Sequence, residues 1–379
     1  MDFTFNEDQQ QFSDALKRWI ERDYTFEQRK HLALAEAGVS APAWATLAEL
    51  GMLALPLPAA QGGFDGSAVD MLVVMQEIGR GLVIEPYFAT VFGAEFLKLA
   101  GGHDALLEQV GSGELRLACA LGERQARHDI NDLLTTATAD GDGFILNGSK
   151  TVVIHGGQAG MLIVSARSSG AQRDAAGISL FVVPANAAGV TVRDYRTIDS
   201  QHAADITFAQ VRVPATALLG GVGSGGEILD AAVDYGITLL CAEALGAMEA
   251  LNSATLDYLK TRQQFGVPIG KFQALQHRMA DMFMQLEQAR SMATLAAVKM
   301  GSADVGERRR TVSAAKARIG QAMKFVGQQA VQLHGGMGVT NELPAAHHFK
   351  RLTMIELTLG DTDHHLARFV SQPGFRPAA

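Results

Sequence analysis

The chain has 379 residues, of which 47% are hydrophobic and 19% charged, a balance typical of a globular protein. Its 32 Lys and Arg against 40 Asp and Glu give a formal net charge of −8, so no basic surplus supports a general nucleic-acid-binding role. The only cysteines, Cys119 and Cys241, indicate neither a disulfide framework nor a thiolate metal site, and no metal is predicted. No apolar run of about 20 residues occurs, and residues 1–24 are charged, so we expect a cytoplasmic protein without a membrane span.

The first third of the chain has the apolar spacing of α-helices. Thr4, Phe5, Asn6 and Glu7 match a capping box, in which Thr4 would cap a helix and Glu7 would bond back to it. Helical periodicity then ends near Gly113. The predicted helical segments are 12–20, 44–52, 69–82 and 87–100.

Short runs suited to β-strands occupy the middle of the chain. Residues 140–143, DGDG, predict a hairpin turn. Many short strands at close intervals favour a small barrel or sandwich. The runs are 115–121, 144–146, 151–154, 161–165, 178–183 and 206–208.

From Glu227 onward the pattern is helical again, and long segments joined by short connections predict a four-helix bundle. The segments are 227–259, 274–299, 308–334 and 343–370. The predicted fold class is therefore α+β. Its domains are an N-terminal helical domain at 1–113, a middle β-barrel domain at 114–222 and a C-terminal four-helix bundle at 223–379.

One connection within this bundle carries polar and aromatic residues in a specific spacing. Residues 262–273 read RQQFGVPIGKFQ, and the glycines and proline mark a corner between two helices. Arg262 offers a planar donor fork suited to a pyrophosphate, beside the ring of Phe265 and the amide of Gln273. Each residue alone would suit an ordinary helix corner, but the complete spacing is more specific.

A second segment, residues 332–338, reads QLHGGMG. Together the two segments resemble the flavin-binding signature of acyl-CoA dehydrogenases, and the resemblance extends over nearly the whole chain. The glycines would let backbone approach a cofactor closely, or would end a helix, and both roles are compatible. The resemblance implies contacts to the diphosphate and adenine end of an FAD held mainly by a neighbouring subunit, from Arg262, Phe265, Gln273, Gln332, Gly335 and Gly336.

The segments that surround the flavin ring in this family are not matched. In place of the family's T-E-P-x-x-G-S-D, residues 121–129 read LGERQARHD. The family's W-I-T strand packs an aromatic ring on the flavin and places a hydroxyl at flavin N5, but here Val152, Val153 and Ile154 stand in its place. Because Ile154 cannot form hydrogen bonds through its side chain, we do not expect this chain to hold a flavin ring by itself.

The usual catalytic carboxylate is also absent. The family's reaction removes the proton α to a thioester while hydride passes to flavin N5, so it needs a positioned carboxylate. Leu359 stands at the usual Glu position, and the position that a minority of the family uses falls at or near Gly236. Asp361 is the candidate displaced base, with Glu356 and Asp363 as further choices, although an Asp beside Gly360 also suits a helix cap.

These features leave three functions open. The chain resembles more closely the small subunit of two-component enzymes such as pimeloyl-CoA dehydrogenase, in which it would complete the FAD site of a partner that carries the catalytic Glu. A second reading is a self-sufficient, homo-oligomeric dehydrogenase that uses Asp361, and a third is a non-catalytic acyl-CoA-binding subunit. The resemblance implies a dicarboxylyl or bulky acyl-CoA substrate and an electron-transfer flavoprotein as the electron acceptor.

Overall fold

The first helix, α1, begins at Glu7 in the computed structural model, which describes residues 5–372. Asn6 is its N-cap: the Asn6 side chain accepts from the Gln9 N–H, and the Gln9 side chain accepts from the Asn6 N–H. The predicted box of Thr4 and Glu7 is therefore wrong by two positions, and Thr4 itself lies outside the described residues. Asn is at least as good an N-cap as Thr, and it has Gln three residues later to complete the box.

The predicted N-terminal helices at 44–52, 69–82 and 87–100 correspond to α3, α4 and α5. Ser67 and Asp70 form a reciprocal capping box at the start of α4. Helices α2 and α6 were not predicted. The helices before the first strand are α1 Glu7–Asp23, α2 Phe26–Leu34, α3 Ala41–Glu49, α4 Ala68–Arg80, α5 Tyr87–Ala100 and α6 Asp104–Gly111.

The strands in the middle of the chain form one eight-stranded sheet in the order β6-β7-β3-β2-β4-β5-β8, with β1 paired parallel to β4. The predicted turn at 140–143 is confirmed, since Asp140 pairs with Gly143 across the β2–β3 hairpin. The predicted runs at 144–146 and 151–154 are one strand rather than two. The strands are β1 Leu117–Ala120, β2 Thr136–Asp140, β3 Gly143–Ile154, β4 Met161–Arg167, β5 Ile178–Pro184, β6 Val190–Arg196, β7 His202–Pro214 and β8 Leu218–Leu219.

The C-terminal part is helical, as predicted, but the predicted segment at 343–370 is two helices. Leu359 and Gly360 separate them, with φ values of +56° and +107° that a continuous helix cannot contain. Helix α9 packs against α8, α10 and α11. The elements are α7 Gly226–Thr261, the short strands β9 Gln263–Gln264 and β10 Val267–Pro268, α8 Gln273–Lys299, α9 Val305–His334, α10 Pro344–Leu357 and α11 Thr362–Ser371.

Contacts divide the described chain into two compact units. One consists of residues 5–31, 67–83 and 237–372, and the other of residues 32–66 and 84–236. The three domains at 1–113, 114–222 and 223–379 follow the order of element types along the chain, and their limits stay a prediction. Across residues 5–372, every helix is too short or too polar to cross a membrane.

Candidate functional site

The stretch that connects α7 to α8 is a two-residue hairpin exposed to solvent. Gln263 and Gln264 pair with Pro268 and Val267, and the turn between them consists of Phe265 and Gly266. Both turn residues have positive φ, +53° and +77°, which is the geometry of a tight hairpin. Gly266 adopts it without strain, whereas Phe265 is a bulky residue in a left-handed conformation and is 90% exposed.

The polar side chains predicted to contact the cofactor are available for binding. Within residues 5–372, the side chains of Arg262, Gln273 and Gln332 are exposed and form neither hydrogen bonds nor ion pairs. Their backbone is nevertheless ordered by hydrogen bonds, since the Ile269 N–H donates to the Arg262 carbonyl over 2.8 Å. The connection is thus a shaped loop that presents unpaired donors.

The end of α9 lies beside the end of α7, and this brings the two sequence motifs together. The rings of Tyr258 and His334 have centroids 4.6 Å apart with an interplanar angle of 30°. A second link joins the start of α8 to α9, where Arg278 donates to the Gln329 side chain over 3.0 Å. The two motifs predicted to share one ligand are therefore neighbours in space.

The glycines of the second motif leave open space above the backbone. Gly335 ends α9 with a φ of +59°, a conformation that favours glycine. A methyl group added at Gly335 or Gly336 would meet no atom within 4 Å. Exposed backbone beside unpaired Arg and Gln side chains fits the anionic diphosphate and the adenine end of FAD.

The segment aligned with the flavin-ring loop is held by a buried ion pair that sequence reasoning missed. Lys150, fully buried, donates to the Glu123 carboxylate over 2.8 Å and to the Ser165 hydroxyl over 3.1 Å. Glu123 also accepts from the backbone N–H groups of Leu134 and Thr135. Burial lowers the pKa of Lys150 to about 8, whereas for Glu123 the pKa rise from burial is outweighed by Lys150 and the hydrogen bonds.

The strand aligned with the family's W-I-T has an unusual backbone and aliphatic side chains. Val152 has a φ of +53° at an irregularity in the β3–β7 pairing and is 52% exposed. A β-branched residue in this conformation is strained. The aliphatic side chains of Val152 and Ile154 offer neither an aromatic ring nor a hydroxyl to a flavin. The residues at the flavin-ring end therefore do not fit the cofactor, whereas those at the diphosphate end do.

Asp361, the candidate base, is the N-cap of α11, where its Oδ1 accepts from the His364 N–H over 2.8 Å. The buried carboxylate of Glu356 accepts from the N–H and hydroxyl of Thr362 and from Lys324 over 3.0 Å. Burial raises the pKa of Glu356, but these partners outweigh it and the pKa lies below its ordinary value. Both carboxylates therefore stabilise the start of α11.

The minority position offers no glutamate either. Gly236 is buried within α7, and the nearest Glu further along that helix is Glu243. Glu243 is buried and holds Arg351 of α10 by two short hydrogen bonds of 2.6 and 2.7 Å. Both oxygens of the Glu243 carboxylate are therefore occupied by Arg351.

A buried lysine organises the turn that contains Leu359. The Lys316 ammonium donates to the carbonyls of Ile355, Glu356, Thr358 and Gly360 over 2.7 to 3.1 Å. Burial lowers the pKa of Lys316 to about 8. The sequence contained one signal for this role, because position 316 falls on the buried face of α9 with apolar residues one turn away on either side.

Comparison with known proteins identifies the class that these features define. The chain matches the acyl-CoA dehydrogenase N-terminal domain at residues 6–103, the middle domain at 118–211 and the C-terminal domain at 223–371. It is 30% identical over 329 residues to the probable acyl-CoA dehydrogenase YngJ of Bacillus subtilis, covering 84% of this chain and 85% of that protein. The chain therefore belongs to the acyl-CoA dehydrogenase family.

Two solved structures are similar along almost the whole chain. One is the ChsE4-ChsE5 complex of Mycobacterium tuberculosis, with 25% identity and a TM-score of 0.89, where the match covers 100% of this chain and 100% of the matched chain. The other is a Tcur3481-Tcur3483 steroid ACAD variant, with 29% identity and a TM-score of 0.86, where the match covers 96% of this chain and 96% of the matched chain. The predicted α+β fold, the enzyme class of FAD-dependent acyl-CoA oxidoreductases and the cofactor FAD are confirmed by this membership.

Proposed function

We propose that this chain is one subunit of a two-component acyl-CoA dehydrogenase. It would correspond to the small subunit of enzymes such as pimeloyl-CoA dehydrogenase. The partner subunit would supply the flavin-ring pocket and the catalytic Glu. This chain would close the diphosphate and adenine end of the partner's FAD with Arg262, Phe265, Gln273 and Gln332, and with backbone at Gly335 and Gly336. The assembled enzyme would be cytoplasmic and would introduce an α,β double bond into an acyl-CoA thioester.

The engagement of three carboxylates, Glu356, Asp361 and Glu243, carries this proposal. Asp361 and Glu356 serve the start of α11, and Glu243 serves Arg351, so each is occupied in the fold. A general base must reach the substrate proton within hydrogen-bonding distance and accept it. A base supplied by another subunit meets this requirement without rearranging this chain.

The exposed hairpin supports the same assignment. A strained, 90% exposed Phe265 is unfavourable in an isolated chain, because it combines conformational strain with an apolar ring in water. Contact with a cofactor and a second subunit would cover the ring. The similarity to the ChsE4-ChsE5 complex supports a hetero-oligomer, and the similarity to a steroid ACAD supports a bulky acyl group over a dicarboxylyl one.

The first experiment compares the chain purified alone with the chain co-purified with its partner dehydrogenase subunit. We expect little flavin absorbance from the chain alone, and FAD together with acyl-CoA oxidation, with an electron-transfer flavoprotein as acceptor, from the pair. In the pair, Arg262→Ala should release FAD, while Arg22→Ala, on the exposed surface of α1, should not. Stoichiometric FAD and turnover in the isolated chain would refute the two-component proposal.

The self-sufficient alternative rests on Asp361 as the base, and Asp361→Asn tests it. Asn is as good an N-cap as Asp, so this variant keeps α11 capped while removing the proton acceptor. Loss of turnover in Asp361→Asn, with normal folding, would favour the self-sufficient enzyme. Thioester binding that needs no FAD would favour the third alternative, a non-catalytic acyl-CoA-binding subunit.

A further inference from the structure

A histidine of α10 links the N-terminal helices to the segment that follows the second glycine motif. The His347 Nδ1 atom lies 3.0 Å from the Arg29 guanidinium, and its Nε2 atom lies 3.1 Å from the Asn341 carbonyl oxygen. Arg29 is 1% exposed and also donates to the Leu82 carbonyl over 2.8 Å. The Phe26 ring packs edge-on against the His347 ring at 5.0 Å.

These partners determine the protonation state of His347. A guanidinium can only donate, so Nδ1 must accept, and a carbonyl can only accept, so Nε2 must carry the proton. The ring is therefore the neutral Nε2–H tautomer. A doubly protonated ring would place an N–H group and a positive charge against the Arg29 guanidinium.

The chain of contacts ends on the loop between the glycine motif and α10. Residues 335–339 form a short 3-10 helix, and Asn341 lies between that helix and the start of α10 at Pro344. The Asn341 side chain is held as well, since Lys350 donates to its Oδ1 over 2.8 Å. His347 thus holds the backbone of Asn341, and Lys350 holds its side chain. Asn341 lies five positions after Gly336.

We propose that His347 is a positioning residue for the cofactor end of the site: its neutral ring ties the loop at 339–343 to Arg29 of α2, and protonation at Nδ1 breaks this tie at Arg29 while the Nε2–H bond to the Asn341 carbonyl remains. Residues 335 and 336 then lose the connection to α2 on their C-terminal side. The link to FAD rests on the proposed function, whereas the link between ring and loop does not.

The surroundings of His347 make its protonation unfavourable. Burial lowers its pKa, the bond to Asn341 opposes this, and the cations Arg29, Lys350 and Lys30 lower the pKa further. The neighbouring His348 is buried, and its pKa is lowered by burial and by Arg29 and His347. The charged groups that lower the pKa of His347, from α2 and α10, are therefore cationic.

Hydrogen exchange on the isolated chain tests the ring and loop without any flavin. We expect amide protection at residues 338–343, corrected for intrinsic rates, to fall by at least about tenfold between about pH 7.5 and about pH 5.0. His347→Gln and His347→Asn cannot titrate at this position and should reduce this pH dependence to the part that the other buried histidines contribute. His31→Gln, at an exposed histidine of α2, should retain it. Protection that does not change with pH in the wild type, or that changes equally in the two His347 variants, would overturn the proposal.

A spectroscopic measurement on the wild type covers the case in which a variant fails to fold. Nitrogen chemical shifts of the imidazole report the tautomer directly, and we expect the Nε2–H form near neutral pH, with the amides of the 339–343 loop shifting as the ring titrates. A ring that is already charged near neutral pH, or that titrates without moving the loop amides, contradicts the inference.

The link to the cofactor has its own measurement. The dissociation constant of FAD from the assembled two-subunit protein should rise by about threefold to tenfold at about pH 5.0, and His347→Gln should remove this pH effect. An affinity that is unchanged between the two pH values would refute the link to FAD. An assembly that binds no FAD at either pH would instead refute the proposed function, and the exchange measurement on the isolated chain would still decide whether His347 holds the loop.

Discussion

The ring of Tyr258, one turn before the end of α7, lies against the ring of His334, the last residue of α9, with 4.6 Å between their centroids. This contact joins the two segments that are predicted to contact the cofactor. Arg262 follows Tyr258 by four residues, and Gly335 follows His334 directly. The ring pair therefore helps to set the relative position of the two motifs, together with the hydrogen bond from Arg278 to Gln329.

Replacing this ring should affect the cofactor end specifically. Tyr258→Ala removes an aromatic contact worth about 1 kcal/mol, so we expect FAD to bind the assembled protein several-fold more weakly. Tyr258→Phe keeps the ring and should bind FAD like the wild type. Flavin fluorescence titration measures both, and equal affinities for the Ala and Phe variants would show that the ring pair does not position the site.

Lys316 should be important for stability because its removal leaves buried carbonyls without a donor. Lys316→Met should destabilise the chain by about 1–3 kcal/mol or more, the usual cost of unsatisfied buried polar groups. Lys324, on the same helix, has an exposed side chain bonded to Glu356, so Lys324→Met should cost about 1 kcal/mol or less. Urea unfolding of both variants makes the comparison, and similar midpoints would show that the four carbonyls are readily solvated in the variant.

Phe265 should show opposite effects on the free chain and on the assembled protein. Phe265→Gly relieves the left-handed strain, whereas Phe265→Ala keeps a Cβ in that conformation, so the Gly variant should be more stable than the Ala variant by about 1 kcal/mol. Both lack the ring and should bind FAD weakly in the assembled protein. Thermal unfolding of the free chain and flavin retention by the pair are the measurements. If Ala is the more stable variant, the hairpin relaxes in solution.

Acid should weaken the fold through buried histidines. Burial lowers the pKa values of His348 and His365 to about 3, from an ordinary value of 6.5. Below pH 6.5 the unfolded chain takes up protons that the folded chain does not, so stability is lost as the pH falls from there towards 3, by about 1.4 kcal/mol per pH unit for each histidine.

Denaturant titrations between about pH 7.5 and about pH 5.0 measure this slope. His348→Gln should reduce the slope by about 1.4 kcal/mol per pH unit, the contribution of one histidine. His31→Gln, at an exposed position, should leave the slope unchanged. A stability that does not vary over this range would mean that these histidines are already solvated in the folded chain.

Local sequence patterns predicted most of the elements. Helix α5 was predicted with its observed bounds, Tyr87–Ala100, because apolar spacing decides a helix within a few turns. The hairpin turn at 140–143 follows from its glycines, of which Gly141 has a φ of +61°. The edge strand β6 was missed because its residues are mostly exposed, so it has no apolar run to identify it.

The sequence also predicted which cofactor and catalytic residues this chain has and lacks. The resemblance of residues 262–273 and of the later glycines to the acyl-CoA dehydrogenase signature predicted a site for FAD, and the aliphatic residues at positions 152, 154 and 359 of this chain predicted that the flavin-ring end and the base are missing. Both predictions depend only on which residue types stand at these positions.

Tertiary structure alone decided which of these residues are supported, and by what. Lys316 and the carbonyls of 355–360, Arg29 and His347, and Tyr258 and His334 are separated along the chain by tens to hundreds of residues. Their contacts depend on the packing of whole helices, and a periodic pattern shows only that a position is buried. Each buried donor and acceptor needs a hydrogen-bonding partner in the folded chain. This requirement decides which partner a buried charged group contacts.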